Sequence, residues 1–351
     1  MLTFAPGPSK VYDALPNYLQ EAYEAGVLSA NHRSNAFMHL YQETESLMRE
    51  KLHMPDNYKL LFTSSATENW EIITQSIVER ASFHIYSGSF GKKWIGFAKH
   101  INPATAGLKI KANQAIDVAN LEISEDFDLI ALTQNETANA TQVPMSVIEA
   151  IKENYPEKMI AVDTTSSMAG IEFDFSLADI WYASVQKCFG LPAGLGILIV
   201  SPKAIEKCES KGESGRYNSL SFILENAMGY QTHYTPNVLG IYLLNRVLKD
   251  LPEIQHIDTN LRERMKQLED CIAKTKSLRM LVDNAETRST TVLAVTGPED
   301  LIKTVKKDAE KEGMQLGSGY GPLKATSFRI ANFPAITNAE MNKLISFLSR
   351  Y

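Results

Sequence analysis

Short apolar runs alternate with longer amphipathic stretches through the first two-thirds of the chain. Leu60-Leu61-Phe62-Thr63, Phe83-His84-Ile85-Tyr86, Leu129-Ile130-Ala131-Leu132-Thr133, Met159-Ile160-Ala161-Val162-Asp163, Ile180-Trp181-Tyr182-Ala183-Ser184 and Gly196-Ile197-Leu198-Ile199-Val200 read as strands. Most are continuously apolar rather than alternating, the pattern of strands covered on both faces. Helical spacing fills the gaps at 67–80 and 144–154. Ahead of the first run, Phe37, Leu40, Tyr41, Thr44, Leu47, Met48 and Leu52 make one mostly apolar stripe. This alternation predicts an α/β fold, a large domain with a mainly parallel sheet flanked by helices.

The texture changes after about residue 245. Helical patterns at 238–250 and 258–275 lead to the run Thr291–Val295, a charged helix at 299–312 and the run Ser327–Ala331. A last helix opens at Thr337, where Glu340 three residues on has capping-box spacing. These elements predict a smaller C-terminal α+β domain. The expected division is 14–248 for the large domain, and 249–351 together with residues 1–13 for the small one.

Composition narrows the function classes. The chain has 351 residues and a formal net charge of −6, so it lacks the cationic surplus that holds a nucleic-acid backbone. Hydrophobic residues at 44% and charged residues at 22% fit a folded globular chain. No apolar run is as long as a membrane span, and the first residues have neither a signal-peptide nor a transit-peptide pattern. Cys188, Cys208 and Cys271 are too few and too scattered for a disulfide framework or a zinc site. A cytoplasmic protein that uses no metal is expected.

Open parallel sheets bind ligands beyond the carboxyl ends of their strands. Asp163 ends one predicted strand and Lys187 follows the next, so both fall at one sheet edge. A lysine buried there loses solvation of its charged form and becomes a nucleophile toward an aldehyde. An aspartate beside it can hold a pyridine nitrogen protonated, the pairing a pyridoxal 5'-phosphate site requires. An isolated Asp or Lys is ordinarily a turn cap or a solvated charge. Here Lys187 sits between Gln186 and Cys188, ahead of the turn Gly190-Leu191-Pro192-Ala193-Gly194 and a buried strand, which is no context for a solvated side chain.

The segment SVQKCFGLPAGLGILIVSP resembles the cofactor-lysine segment of the class-V, fold-type I pyridoxal-phosphate aminotransferases. FAPGPSKV, NHRSNAFMHLYQETESLMREKL, PDNYKLLFTSSATENW and QNETANATQVP are similar to further segments of that family, in the same order along nearly the whole chain. QNETANATQVP is closest to the family's phosphoserine branch, and VDTTSSMAGIEFDF to its alanine–glyoxylate/serine–pyruvate branch. The resemblance implies a homodimeric transaminase. Its leading substrates are phosphoserine and phosphohydroxypyruvate with glutamate and 2-oxoglutarate, as in serine biosynthesis. The alternative pair is alanine or serine with glyoxylate or pyruvate.

The same resemblance implies roles for single residues. Lys187 is the cofactor-linked lysine and Asp163 the partner of the pyridinium nitrogen. Ala66, Thr67 and Gln186 hold the cofactor phosphate, Phe90 stacks on the ring, and Thr137 contacts it. Ser64-Ser65-Ala66-Thr67 would open a helix in either case, since these residues also make an N-cap and an anion site. Thr235 reaches the cofactor phosphate from the neighbouring subunit. Arg329 binds the substrate α-carboxylate, as a fixed, always-charged fork suits. His32 and Arg33, also from the partner, bind a substrate phosphate.

One stretch departs from the phosphoserine pattern. A second His-Arg pair stands there shortly before the carboxylate arginine, whereas this chain reads GSGYGPLKATSFR, with Lys324 as the cation ahead of Arg329. Cysteine desulfuration on the same fold is disfavoured by Gln186 before the lysine and by the lack of any cysteine after Cys271. A non-catalytic binding protein is disfavoured because Lys187 and Asp163 are both present.

Overall fold

The apolar runs become the strands of two sheets in the computed structural model, which describes residues 1–212 and 215–351. In chain order the strands are β1 (Leu2–Phe4), β2 (Lys59–Thr63), β3 (Ser82–Tyr86), β4 (Ala106–Lys109), β5 (Leu129–Thr133), β6 (Asn135–Glu136) and β7 (Thr141–Gln142). They continue with β8 (Met159–Asp163), β9 (Ile180–Ser184), β10 (Gly196–Val200), β11 (Arg279–Met280), β12 (Val292–Thr296), β13 (Met314–Ser318) and β14 (Ser327–Ala331).

The larger sheet has seven strands in the order β2-β10-β9-β8-β5-β3-β4. Its pairs are parallel except at β10, which runs antiparallel to both β2 and β9. Two reversals leave β2 pointing with the rest, so six strands end at one edge and β10 begins there. Every residue of β5, β8, β9 and β10 is buried. Leu198, at the middle of β10, has no exposed surface, and cutting it to Ala would cost about 2–5 kcal/mol.

Helices cover this sheet, among them α1 (Leu15–Glu24), α2 (Asn35–Leu52), α3 (Ala66–Ile77) and α4 (Ser89–Ile101). The stripe read in the sequence is the buried face of α2, where Phe37, Tyr41, Thr44, Leu47, Met48 and Leu52 point inward. Ser34 caps that helix by accepting from the Phe37 amide, and His53 ends it in the left-handed region at φ 59°. Each fully buried large side chain of this kind adds about 1.5–3 kcal/mol.

The smaller sheet has five strands, β1-β13-β14-β12-β11. The N-terminal strand β1 lies at its edge, parallel to β13, although the rest of that sheet comes from the last third of the chain. The expected capping box is present: Thr337 accepts from the Glu340 amide, and the Glu340 carboxylate accepts from the Thr337 amide. Between the two sheets, β6 and β7 pair as a separate two-stranded ribbon, and a polar knot ties it to the segments after β8 and before β12. Asn135 donates to Thr291 Oγ1 at 2.7 Å, and Thr291 donates to the Ser166 carbonyl at 2.6 Å. Among the described residues, no helix is long and apolar enough to cross a membrane.

Candidate active site

The shared edge of the larger sheet brings together the turns that follow β2, β3, β5, β8 and β9. A cavity of about 280 Å³ opens there, roofed by the smaller sheet. Asp163 closes β8, and Lys187 stands three residues beyond the end of β9. They are 4% and 7% exposed. Lys187 Nζ donates to Thr137 Oγ1 at 2.6 Å. Burial draws the Lys187 ammonium down to about 8, against the pull of the Asp163 and Glu136 charges. Near neutral pH this lysine therefore holds an appreciable share of free amine.

Burial pushes the Asp163 carboxyl upward, opposed by hydrogen bonds and by the lysine charge. Its Oδ1 accepts from the Thr165 amide at 2.9 Å and from Thr165 Oγ1 at 2.5 Å. Tyr182, its register partner on β9, adds a side-chain hydrogen bond. The Tyr182 hydroxyl in turn accepts from Trp70 Nε1 at 2.8 Å. Bonds of this kind favour the anion and aim it.

At the other end of the cavity, α3 begins. Ser65 caps it by accepting from the Glu68 amide, and Ala66 and Thr67 form its first turn, whose amides have no partner within the helix. Such a terminus attracts an anion. Ser184 Oγ donates to Gln186 Oε1 at 2.7 Å, and both residues line the cavity. Gly196 lets β10 run against this turn, since a Cβ there would lie 2.3 Å from Thr63 Oγ1. At Gly7 a Cβ would lie 3.2 Å from Lys187 Cε, so the N-terminal segment passes directly over the lysine stem.

Phe90 sits in the first turn of α4, its ring centroid 5.3 Å from Lys187 Nζ. The buried Glu136 carboxylate fixes it there, accepting from the Phe90 amide at 2.8 Å, the Gly91 amide at 3.1 Å and the Ala138 amide at 2.9 Å. Arg329 projects from β14. Its Nε donates to the Ser318 carbonyl and its Nη1 to the Thr137 carbonyl, both at 2.8 Å, leaving Nη2 for a ligand. Tyr320 lies between this guanidinium, 5.5 Å from its ring, and Phe90, whose centroid is 5.4 Å away.

Of the residues singled out in the sequence, Ala66, Thr67, Phe90, Thr137, Asp163, Gln186, Lys187 and Arg329 line this one cavity. Thr235, His32 and Arg33 do not line it within a single chain, and Thr235 and Arg33 are exposed. Lys324 lies elsewhere, in a surface groove with Lys303, Lys306 and Lys307. Trp70, Thr165, Tyr182, Glu136 and Tyr320 were not foreseen as site residues. Thr165 was within reach, two residues past Asp163. Trp70 and Tyr182 read as core because both belong to apolar stretches. A larger cavity of about 440 Å³ lies against Ile85, Ile110, Val143 and Pro144, but it contains no buried acid–amine pair. Among the described residues, no cluster of His, Cys, Asp and Glu is fit for a metal ion.

Comparison with known proteins agrees with this geometry. The family model described as Aminotransferase class-V matches residues 4–319. A phosphoserine aminotransferase of Corynebacterium glutamicum (strain R) is 25% identical over 352 residues, covering 97% of this chain and 92% of that protein. Among solved structures, a phosphoserine aminotransferase from Cytophaga hutchinsonii superposes with a TM-score of 0.95 at 33% identity, covering 99% of this chain and 98% of that one. An alanine–glyoxylate aminotransferase from Nostoc sp. shares the fold, with a TM-score of 0.84 at 20% identity over 99% of this chain and 94% of that one.

Proposed function

The chain belongs to the class-V aminotransferase family, and from that premise we propose that it uses pyridoxal 5'-phosphate to exchange the amino group of phosphoserine with 2-oxoglutarate. The observation that carries the reading is the buried Asp163–Lys187 pair under Phe90 in one cavity. The residues fit the cofactor. There is a helix terminus for its phosphate, an aromatic face for its ring, a buried carboxyl for its nitrogen and a lysine with a lowered pKa for its aldehyde.

When bound, pyridoxal phosphate supplies an electron sink for the bonds at the substrate's Cα. Ala66, Thr67 and Gln186 hold the phosphate, with Thr235 completing it from a second subunit. Asp163, kept ionised by Thr165 and Tyr182 once a cation faces it, keeps a proton on the ring nitrogen. Phe90 would supply an aromatic face for the ring. Thr137 orients the Lys187 amine, which would take the proton from the substrate's Cα and deliver it to C4′ of the bound cofactor, a role suited to a pKa near the working pH. Arg329 grips the α-carboxylate through Nη2.

His32, Arg33 and Thr235 lie outside the single-chain cavity, which supports a homodimer whose sites are completed across the interface. Exposed Leu19, Tyr23 and Leu28 offer apolar surface near the segment carrying His32 and Arg33. The same reading places the protein in the cytoplasm. It divides the chain into a cofactor-binding unit, 14–248, and a unit of 249–351 with 1–13 that covers the substrate.

A second reading, alanine or serine with glyoxylate or pyruvate, is favoured by the glycine-rich stretch where the phosphoserine branch carries a His-Arg pair. One experiment separates the two. Cofactor-loaded protein is mixed in turn with phosphoserine, glutamate, serine and alanine while its near-visible absorbance is followed. Phosphoserine and glutamate should deplete the band fastest. Faster depletion by alanine or serine than by phosphoserine replaces the first reading with the second. Borohydride should fix a pyridoxyl adduct on Lys187, and an adduct on another lysine overturns both.

A further inference from the structure

We propose that Lys93 and Tyr320 together form the contact for an anionic group at the far end of the substrate's side chain. The inference rests on the aminotransferase reading above. A substrate phosphate needs a concentrated cation within reach. Besides His32 and Arg33, which that reading brings from a second subunit, the cations this chain itself places near the cavity are few. Lys187 is engaged with Thr137, two nitrogens of Arg329 are held by backbone carbonyls, and Lys324 lines another groove.

Lys93 is the cation left at the rim. It lies on α4, three residues and so one turn beyond Phe90, on the same helix face. Its Nζ donates to the Tyr320 hydroxyl at 3.0 Å and stands 5.4 Å and 5.7 Å from the Phe90 and Tyr320 ring centroids. Among the described residues, no carboxylate pairs with it within ion-pair distance. An ammonium has three donors, and this one spends a single donor on a phenol.

Tyr320 links that ammonium to the catalytic cavity. It lines the cavity and lies between Phe90 and Arg329. Arg329, Tyr320 and Lys93 therefore run outward in a row from the place of the α-carboxylate. The loop is built around the tyrosine. At Gly319 a Cβ would meet the Leu323 carbonyl at 2.2 Å, and Gly321 adopts φ 56°. An anion at the rim would receive charge-assisted bonds from the ammonium and a further one from the phenol. A lysine acts as a point charge and sets no planar geometry, so it serves a phosphate ester or a carboxylate and favours the greater charge.

The test compares cofactor-loaded wild type with Lys93→Ala, Lys93→Arg and Tyr320→Phe. Phosphoserine, glutamate and alanine serve as substrates, and kcat and KM are separated. For Lys93→Ala, the kcat/KM ratio of the better anionic substrate to alanine should fall about tenfold, carried by KM. Lys93→Arg should restore most of the ratio, and Tyr320→Phe should lower it less. Raising the salt concentration should narrow the gap between wild type and Lys93→Ala, because the contact lies near solvent. A purely packing role would depress all three substrates alike. A ratio in Lys93→Ala within about twofold of wild type overturns the proposal and leaves the aminotransferase reading standing. Wild-type protein that converts none of the three overturns the reading itself.

Discussion

At the floor of the cavity, Asp163 and Lys187 are almost wholly buried and each is held by short hydrogen bonds, from Thr165 and to Thr137 respectively. At the roof, Arg329, Tyr320 and Phe90 are half-buried, and Lys93 stands in solvent. Low dielectric at the floor moves both groups toward their neutral forms, which suits Lys187, the group that must move a proton. Hydrogen bonds from Thr165 and Tyr182 hold Asp163 toward its anion. The half-exposed roof leaves its cations charged and its loops able to differ between relatives. Chemistry sits where water is excluded, and selection among substrates sits where the wall meets water.

Substitutions at the two levels should therefore fail in different ways. Lys187→Ala should lower kcat roughly 10⁴-fold, the upper end of what a positioned proton carrier contributes, for every amino acid alike. Asp163→Asn should still bind the cofactor, measured by equilibrium dialysis, yet turn over on the order of 10²–10³-fold more slowly, as when one preorganised electrostatic group is lost. Near-normal turnover in either variant would erase the distinction between floor and roof.

At the roof, Arg329→Ala should cost about 1.5–3 kcal/mol in kcat/KM, roughly ten- to hundred-and-fifty-fold, for every substrate carrying an α-carboxylate. Arg33→Ala should show a loss of that order for phosphoserine and a smaller one for glutamate. An equal loss for both would remove Arg33 from phosphate recognition. The smallest effect sharpens the floor. In cofactor-free protein, the rate at which Lys187 captures an aldehyde should climb about tenfold per pH unit up to about 8 and then level off. The sign follows from the free amine being the reactive form and becoming more abundant as pH rises. A rate still climbing at pH 10 would mean that Lys187 is as well solvated as an ordinary lysine.

The floor was far easier to read from the chain than the roof. Strands β5, β8, β9, β10 and β14 fall where the apolar runs put them, because strands buried on both faces leave an unbroken signal. The edge strands β1 and β4 and the inner strand β13 went unread. β1 has three residues, β4 is largely exposed, and β13 carries glycine and polar residues. Asp163 and Lys187 declared themselves by following strands that the sheet sets side by side. Glu136 did not, because its carboxylate binds backbone amides of a distant helix and amides leave no trace in residue identity. Tyr320 was hidden among glycines that looked like a plain loop.

The position of β1 bears on how the molecule is made. Leu2 pairs with Met314, and the segment that follows β1 passes over Lys187. During synthesis, this first strand leaves the ribosome long before its partner exists, so the larger sheet can form while the site remains open. Pairings so distant in sequence are slow to form and come late. A version of the protein with residues 1–6 removed should thus keep most of its secondary structure by circular dichroism, while its Lys187 becomes more exposed to acylating reagents. Pairing of β1 with β13 would then be the step that carries the N-terminal segment over the lysine stem.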